Sequence, residues 1–201
     1  MSALRILLVF TIVTVVIIVA ACGPAPSTPK ERLVVAIQPS LAATEMLEKA
    51  RPVEQFLESK LDNVDVEVYV PLSQAGVIEA LRFGQAHIAF MGAWPASLAV
   101  DLAGAELVLA EVREVVIGAE KTAATYYFSY WVVPTASPYQ SLADLRGKRA
   151  CFSSPISTSG YVAPMGRLID LGLVRKPTKG EADAKTFFAD VLFAGGYSQC
   201  W

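Results

Sequence analysis

The chain has 201 residues, 54% of them hydrophobic and 18% charged, a balance that excludes a disordered polymer and leaves room for one large or two small domains with a real core. A formal net charge of −2 and a pI near 5.5 supply no broad positive field, so a nucleic-acid partner is not expected and any anion must be held by local geometry. One histidine and three cysteines, one of which is assigned to a lipid below, do not make a metal site, and no cofactor is expected.

Arg5 is the lone charge ahead of the apolar run Ile6 to Ala21, which only Thr11 and Thr14 interrupt. It ends in Val19-Ala20-Ala21-Cys22-Gly23, a small-residue approach to cysteine that resembles a bacterial lipoprotein cleavage site. Residues 1–22 are therefore expected to be a lipoprotein signal peptide, with Cys22 lipidated and the membrane a partner through that lipid. The alternative is a plain transmembrane anchor, for which the run is short and its flank carries little charge. Residues 23–31 are rich in Pro, Ser and Gly and read as a flexible tether. With Cys22 spoken for, an oxidising exterior permits a disulfide between Cys151 and Cys200, although a buried free thiol is the commoner state for a cysteine in an apolar strand such as Cys151 occupies.

Leu33 to Ile37 is a continuous apolar run of the kind that forms a strand buried on both faces. A helix follows from about Ala42 to Lys60, with a break or kink expected at Pro52. Val64 to Val70 alternates as a strand with one wetter face, Gln74 to Phe83 is a helix closed by Gly84, and His87 to Met91 reads as a third buried strand. The order β-α-β-α-β predicts a largely parallel sheet with helices on both sides and ligands beyond the strands' carboxyl ends, at loops containing Gln38, Pro71 to Gln74, and Gly92 to Pro95. A helix over about Ala96 to Leu102 leads to Leu107–Val112. The small residues of Gly118 to Thr125 suggest a crossing into a second lobe, and Tyr126 to Val133 has strand composition. Beyond it come a helical turn over Leu142 to Gly147, a strand over Arg149 to Phe152, a polar loop from Ser153 to Gly160, a helix from Gly160 to Leu171, and a strand over Val191 to Phe193. The expected division is 32–122 for a first α/β lobe and 123–201 for the start of a second.

Ser153-Ser154-Pro155-Ile156-Ser157-Thr158-Ser159-Gly160-Tyr161 is the sharpest local feature. Rotatable hydroxyls of Ser157, Thr158 and Ser159 together with N–H groups of a helix's first turn suit an oxyanion, and Gly160 permits close approach of the backbone. The alternative is that Ser159 or Thr158 only caps the helix. Pro164 removes a donor from the first turn, so the helix is expected to bend or to start later.

These residues resemble a family. Ser129-Tyr130, Ser137-Pro138, Ser141 to Lys148 (SLADLRGK), Phe152, Pro155, Ser157 to Tyr161, Pro164 and Phe193 to Gly196 are similar in letter and spacing to the phosphate/phosphite/phosphonate-binding proteins of ABC importers. The resemblance implies a two-lobed periplasmic-binding-protein-like (type II) α/β fold, with the second lobe and returning segment incomplete within this length, closing on its ligand by a hinge. It implies ligand contacts from Ser157, Thr158 and Ser159; Gly160 by its close approach, Gln38 by its strand-end loop, Tyr197, and Trp94 as either a contact or a packing residue are further candidates. Trp94 stands near where family members often carry a tyrosine, and Tyr197 where they often carry a histidine. The implied partners are a small oxyanion and an ABC permease and ATPase complex, and the implied place is the extracytoplasmic face of the membrane.

An enzyme is the rival class. No Gly-x-Ser-x-Gly elbow, P-loop or dinucleotide fingerprint is present, and His87 is read as structural, so no catalytic residue is expected. A lipid-anchored sensor or docking module using the same fold is the other alternative.

Overall fold

The computed structural model describes residues 29–200, so the signal-like run, Cys22 and Trp201 lie outside the described residues. Compactness divides the chain after Glu31, and the unit from Arg32 onward carries the fold and the site.

The apolar run forms β1 (Glu31–Ile37), central in a three-stranded sheet of order β2-β1-β3. Its Val34, Val35 and Ala36 are buried. β2 (Val64–Tyr69) alternates as its sequence dictates, with Val66 buried between exposed Asp65 and Glu67. Arg32 pairs with Glu67 across the two strands. β3 (Ile88–Phe90) runs parallel to β1 in the register Val35↔Ile88 and Ile37↔Phe90. The expectation of a third fully buried strand fails here: β3 is the sheet's edge, and Ile88 and Phe90 are exposed. His87 is structural, its backbone N–H donating to the Val34 carbonyl and its Nδ1 accepting from the Val34 N–H.

Helix α1 (Ala43–Glu58) passes through Pro52 without the expected break. Pro52 and Glu48 are both exposed, so water can serve the carbonyl that the missing N–H abandons. Ser73 starts α2 (Gln74–Arg82) by accepting from the Gly76 N–H at 3.1 Å, and Val77 and Ala80 pack on Val34 and Ala36 as a core of small aliphatic residues. Helix α3 (Ala93–Ala103) starts directly after Gly92, earlier than expected, and ends at Gly104 in the left-handed conformation.

The stretch read as a crossing is the turn and second strand of an antiparallel hairpin, β4 (Arg113–Ile117) with β5 (Glu120–Ala124). Gly118, with φ of 65°, supplies the positive dihedral that such a two-residue turn needs. Leu107–Val112 and Tyr126–Val133 have strand composition but no ladder partner among the described residues, and most of their large side chains are exposed. Strand propensity reports a fit to a neighbouring strand, and without one it forms no ladder.

In the second half, Ser141 and Asp144 form a capping box on a 3-10 turn over Leu142–Leu145, which leads into β6 (Arg149–Phe152). β6 pairs in parallel with β7 (Asp190–Phe193). Helix α4 (Ala163–Asp170) lays Met165 and Leu168 on a cluster that includes Leu145, Phe152, Tyr161, Phe187 and Phe188. Phe152 alone meets the rings of Trp131, Tyr161, Phe188 and Phe193 at 5.0 to 6.0 Å. Cys151 and Cys200 are joined by a disulfide, which overturns the free-thiol alternative: the chain after β7 folds back on β6 and brings the two Cα atoms to 5.6 Å, inside the range a disulfide spans.

Candidate functional site

The parallel strands deliver their next residues to one place. Beyond β1 the ladder continues, with the Gln38 N–H donating to the Phe90 carbonyl, which sets Gln38 beside Gly92; its Oε1 accepts from the Gly92 N–H at 2.8 Å. At the start of α3 the Trp94 N–H donates to the Thr158 hydroxyl at 2.8 Å. Thr158 follows β6, so this bond joins the loop after β3 to the loop after β6. Gly92 makes the approach close, since a Cβ there would lie 3.1 Å from Thr158 Oγ1.

The hydroxyl loop opens its helix with a wide turn. Thr158–Val162 is π-helical, and the Tyr161 and Val162 N–H groups both donate to the Ser157 carbonyl. This is how the chain accommodates Pro164. In a wide turn its absent N–H would have served the carbonyl of Ser159, which instead accepts from the Ser129 hydroxyl at 2.6 Å. The cap is neither Ser159 nor Thr158. Ser157, 3% exposed, accepts from the Gly160 N–H at 3.1 Å, while Thr158 serves Trp94. The amides of Thr158 and Ser159 have no partner among the described residues, as expected of a helix's first N–H groups.

Four hydroxyls form a chain across this turn. Tyr127 is 2.9 Å from Ser159 Oγ, Ser159 is 2.7 Å from the Tyr197 hydroxyl, and Tyr197 is 3.1 Å from Ser157 Oγ. Each hydroxyl owns one proton, so three links leave one O–H free to donate outward. Two further polar atoms, Ser153 Oγ and the Trp94 indole Nε1, are buried with no partner among the described residues. Ser153 Oγ lies 2.0 Å from where a Cβ on Gly160 would stand, so glycine there is a steric requirement.

The seven residues singled out in the sequence therefore converge: Gln38, Trp94 and Thr158 through Gly92 on one side, Ser157, Ser159, Gly160 and Tyr197 on the other. Tyr127 and Ser129 were missed as site residues. Their signal is the period of two, which sends alternate side chains of an extended segment to one face, and both reach Ser159. The cluster's donors are neutral. A positive charge approaches at the rim, where the Arg113 guanidinium lies 5.1 Å over the Tyr127 ring and pairs with Glu111 at 2.7 Å. The hydrogen bond and charge of Glu111 raise the Arg113 pKa against the opposing cost of burial. Convergent O–H and N–H donors at a helix's N-terminal end are a set chemically suited to an oxyanion.

Comparison with known proteins finds relatives over most of the chain. A family model described as "ABC transporter, phosphonate, periplasmic substrate-binding protein" matches residues 35–200. The chain is 27% identical over 169 residues to the phosphate-import protein PhnD of Mycolicibacterium smegmatis, covering 83% of this chain and 50% of that protein. Among solved structures, a binding protein component of an ABC phosphonate transporter from Pseudomonas aeruginosa superposes with a TM-score of 0.61 at 21% identity, covering 82% of this chain and 50% of that one. PhnD1 from Prochlorococcus marinus in complex with methylphosphonate gives 0.60 at 17% identity, covering 86% and 59%. At these identities the structural likeness speaks for the fold alone, an α/β periplasmic-binding-protein fold. The chain spans between half and three-fifths of the length of these relatives.

Proposed function

Because the chain belongs to the family of periplasmic substrate-binding proteins of phosphonate ABC transporters, we propose that it captures a small phosphorus oxyanion, a phosphonate, phosphite or phosphate, between two α/β lobes over 32–122 and 123–201. It then hands the anion to an ABC permease and ATPase complex. Its place is the extracytoplasmic face of the membrane, where Cys22 carries the lipid anchor. The reading is of binding without turnover, since the relatives' names describe import and binding. The observation that carries it is the wide turn at Ser157 to Gly160, whose hydroxyls, amides and helix N-terminus converge at the strand ends beside Trp94 and Tyr197. In this reading the oxyanion's oxygens accept from the Thr158 and Ser159 amides and from the hydroxyl chain. Gln38 and the Trp94 indole border the rest of the ligand.

The name of the Mycolicibacterium relative points to phosphate and the Prochlorococcus complex to methylphosphonate, so both belong in the test. Calorimetry on the full chain with phosphate, phosphite, methylphosphonate and 2-aminoethylphosphonate is expected to give saturable binding to at least one of them. Absence of binding to all four sinks the proposal. Ser159→Ala, which leaves the Ser157 cap in place, is expected to weaken that binding by about 1–3 kcal/mol, the range for a hydrogen bond to a charged oxygen. An unchanged affinity would return the turn to a purely structural role.

A further inference from the structure

Tyr197 stands on a segment with few holds of its own. The chain leaves β7 through Ala194 and Gly195, whose N–H groups extend the ladder to the carbonyls of Phe152 and Ser153, and Gly195 then turns with φ of 84°. From there, residues 196–200 bond mostly among themselves: the Cys200 N–H donates to the Tyr197 carbonyl, and Ser198 to Gln199. The hydrogen bonds that tie this segment to the rest of the described residues are those of the Tyr197 phenol to Ser157 and Ser159. The other tie is covalent, the disulfide to Cys151.

Cys151 lies in β6, the strand that runs directly into Ser153 and the hydroxyl turn. The disulfide therefore fixes the far end of the Tyr197 segment to the same strand that carries the hydroxyls Tyr197 must meet. Resting on the oxyanion site proposed above, we infer that the Cys151–Cys200 disulfide is a positioning device for binding: it holds the Tyr197 hydroxyl against Ser157 and Ser159 before the ligand arrives. A segment held at Gly195 and at Cys200 has surrendered conformational freedom in advance, and one released at Cys200 surrenders more of it on binding. Tyr197 is itself 39% exposed, so burial alone does not hold its ring in place.

Two measurements on the full chain test this. In the first, ligand-free, the ring resonances of Tyr197 are followed in spectra of protein labelled with 13C at tyrosine, phenylalanine and leucine, with Tyr197→Phe giving the assignment. In Cys200→Ser they are expected to move toward the positions of an unstructured tyrosine while those of Phe152 and Leu168 stay in place. An unmoved Tyr197 overturns the inference, and so does loss of the core resonances, which would make the disulfide a general staple of the fold. Reduction of the folded protein with dithiothreitol opens the same bond without substitution and is expected to move the Tyr197 resonances in the same way.

The second measurement is affinity for methylphosphonate and inorganic phosphate. Cys200→Ser is expected to weaken binding about three- to tenfold, and to add nothing in a Tyr197→Phe background, since the hydroxyl to be positioned is gone. An equal loss in both backgrounds overturns the inference. Wild-type protein that binds none of phosphate, phosphite, methylphosphonate and 2-aminoethylphosphonate defeats the proposed function instead, and the spectra still decide the positioning claim.

Discussion

The two halves of the molecule build their strand-end loops on different foundations. Under Gln38 and Gly92 lie Val34, Ala36, Val77, Ala80 and Ala86, small residues beneath a sheet whose outer strand is exposed at Ile88 and Phe90. Under the hydroxyl turn lie interlocked rings, with Phe152, Tyr161 and Phe188 packed edge to face and Leu168 fully enclosed. Aromatic side chains bury more area each and fix one another's orientation, so the turn that presents Ser157 to Gly160 is set more rigidly than the loops facing it. In the site proposed above, one wall therefore rests on interlocked rings and the other on small aliphatic side chains.

The largest expected effect breaks the firm wall. Leu168→Ala is expected to destabilise the fold by about 2–5 kcal/mol, as for other fully buried leucines, whereas Val77→Ala under the opposite loops is expected to cost about 1–2 kcal/mol. Urea melts of both variants check the difference, and equal losses would erase the contrast. Next come the two glycines that face the same turn. Gly160→Ala pushes a methyl into Ser153 Oγ and Ser157 Oγ and is expected to cost about 1–3 kcal/mol and to impair oxyanion binding, measured by thermal melt and calorimetry. Gly92→Ala crowds Thr158 Oγ1 at 3.1 Å and meets Gln38 Oε1 and Pro95 Cδ at ordinary contact distance, and it is expected to cost under about 1 kcal/mol.

The smallest effect lies at the edge of the firm half. The Gln140 and Ser141 amides and the Ser141 hydroxyl hold the exposed Asp144 carboxyl below its usual range. A depressed folded pKa means the contribution is present above about pH 4 and is lost as pH falls through the folded value. Asp144→Asn is expected to lower neutral stability slightly and to flatten that acid limb, so that melts taken across it converge with wild type at low pH.

Sequence patterns went furthest where local chemistry decides the outcome. β1, β2, β6, the turn after Ser141 and the hydroxyl loop could be read because apolar runs, alternation and cap residues act within a few positions. They failed where a partner decides. Leu107–Val112 and Tyr126–Val133 have strand composition without a neighbouring strand, β3 could not announce itself as an edge, and the Gly118 hairpin hid behind small residues. In the site, Ser157, Thr158 and Tyr197 stood out by type. The roles of Ser129 and Tyr127 did not, because they depend on where the wide turn places the Ser159 carbonyl and hydroxyl. The disulfide could be named as an option, but the fold-back that closes it lies beyond what spacing reveals.

The wide turn at Thr158–Val162 also has a meaning in the language of insertions and deletions. A π-turn is an α-helix carrying one surplus residue, so everything ahead of it is rotated by about 100° relative to the helix behind it. Here the helix behind is locked by Met165 and Leu168, and the residues ahead are the hydroxyl donors. Removing a single residue of the turn ahead of Tyr161 would restore a regular helix and swing Ser157 away from Tyr197 while leaving Tyr161, Met165 and Leu168 seated in the core. In this chain the aim of the site is set by one extra residue as much as by the identity of any side chain, and a lineage could retarget it by losing that residue without touching a serine.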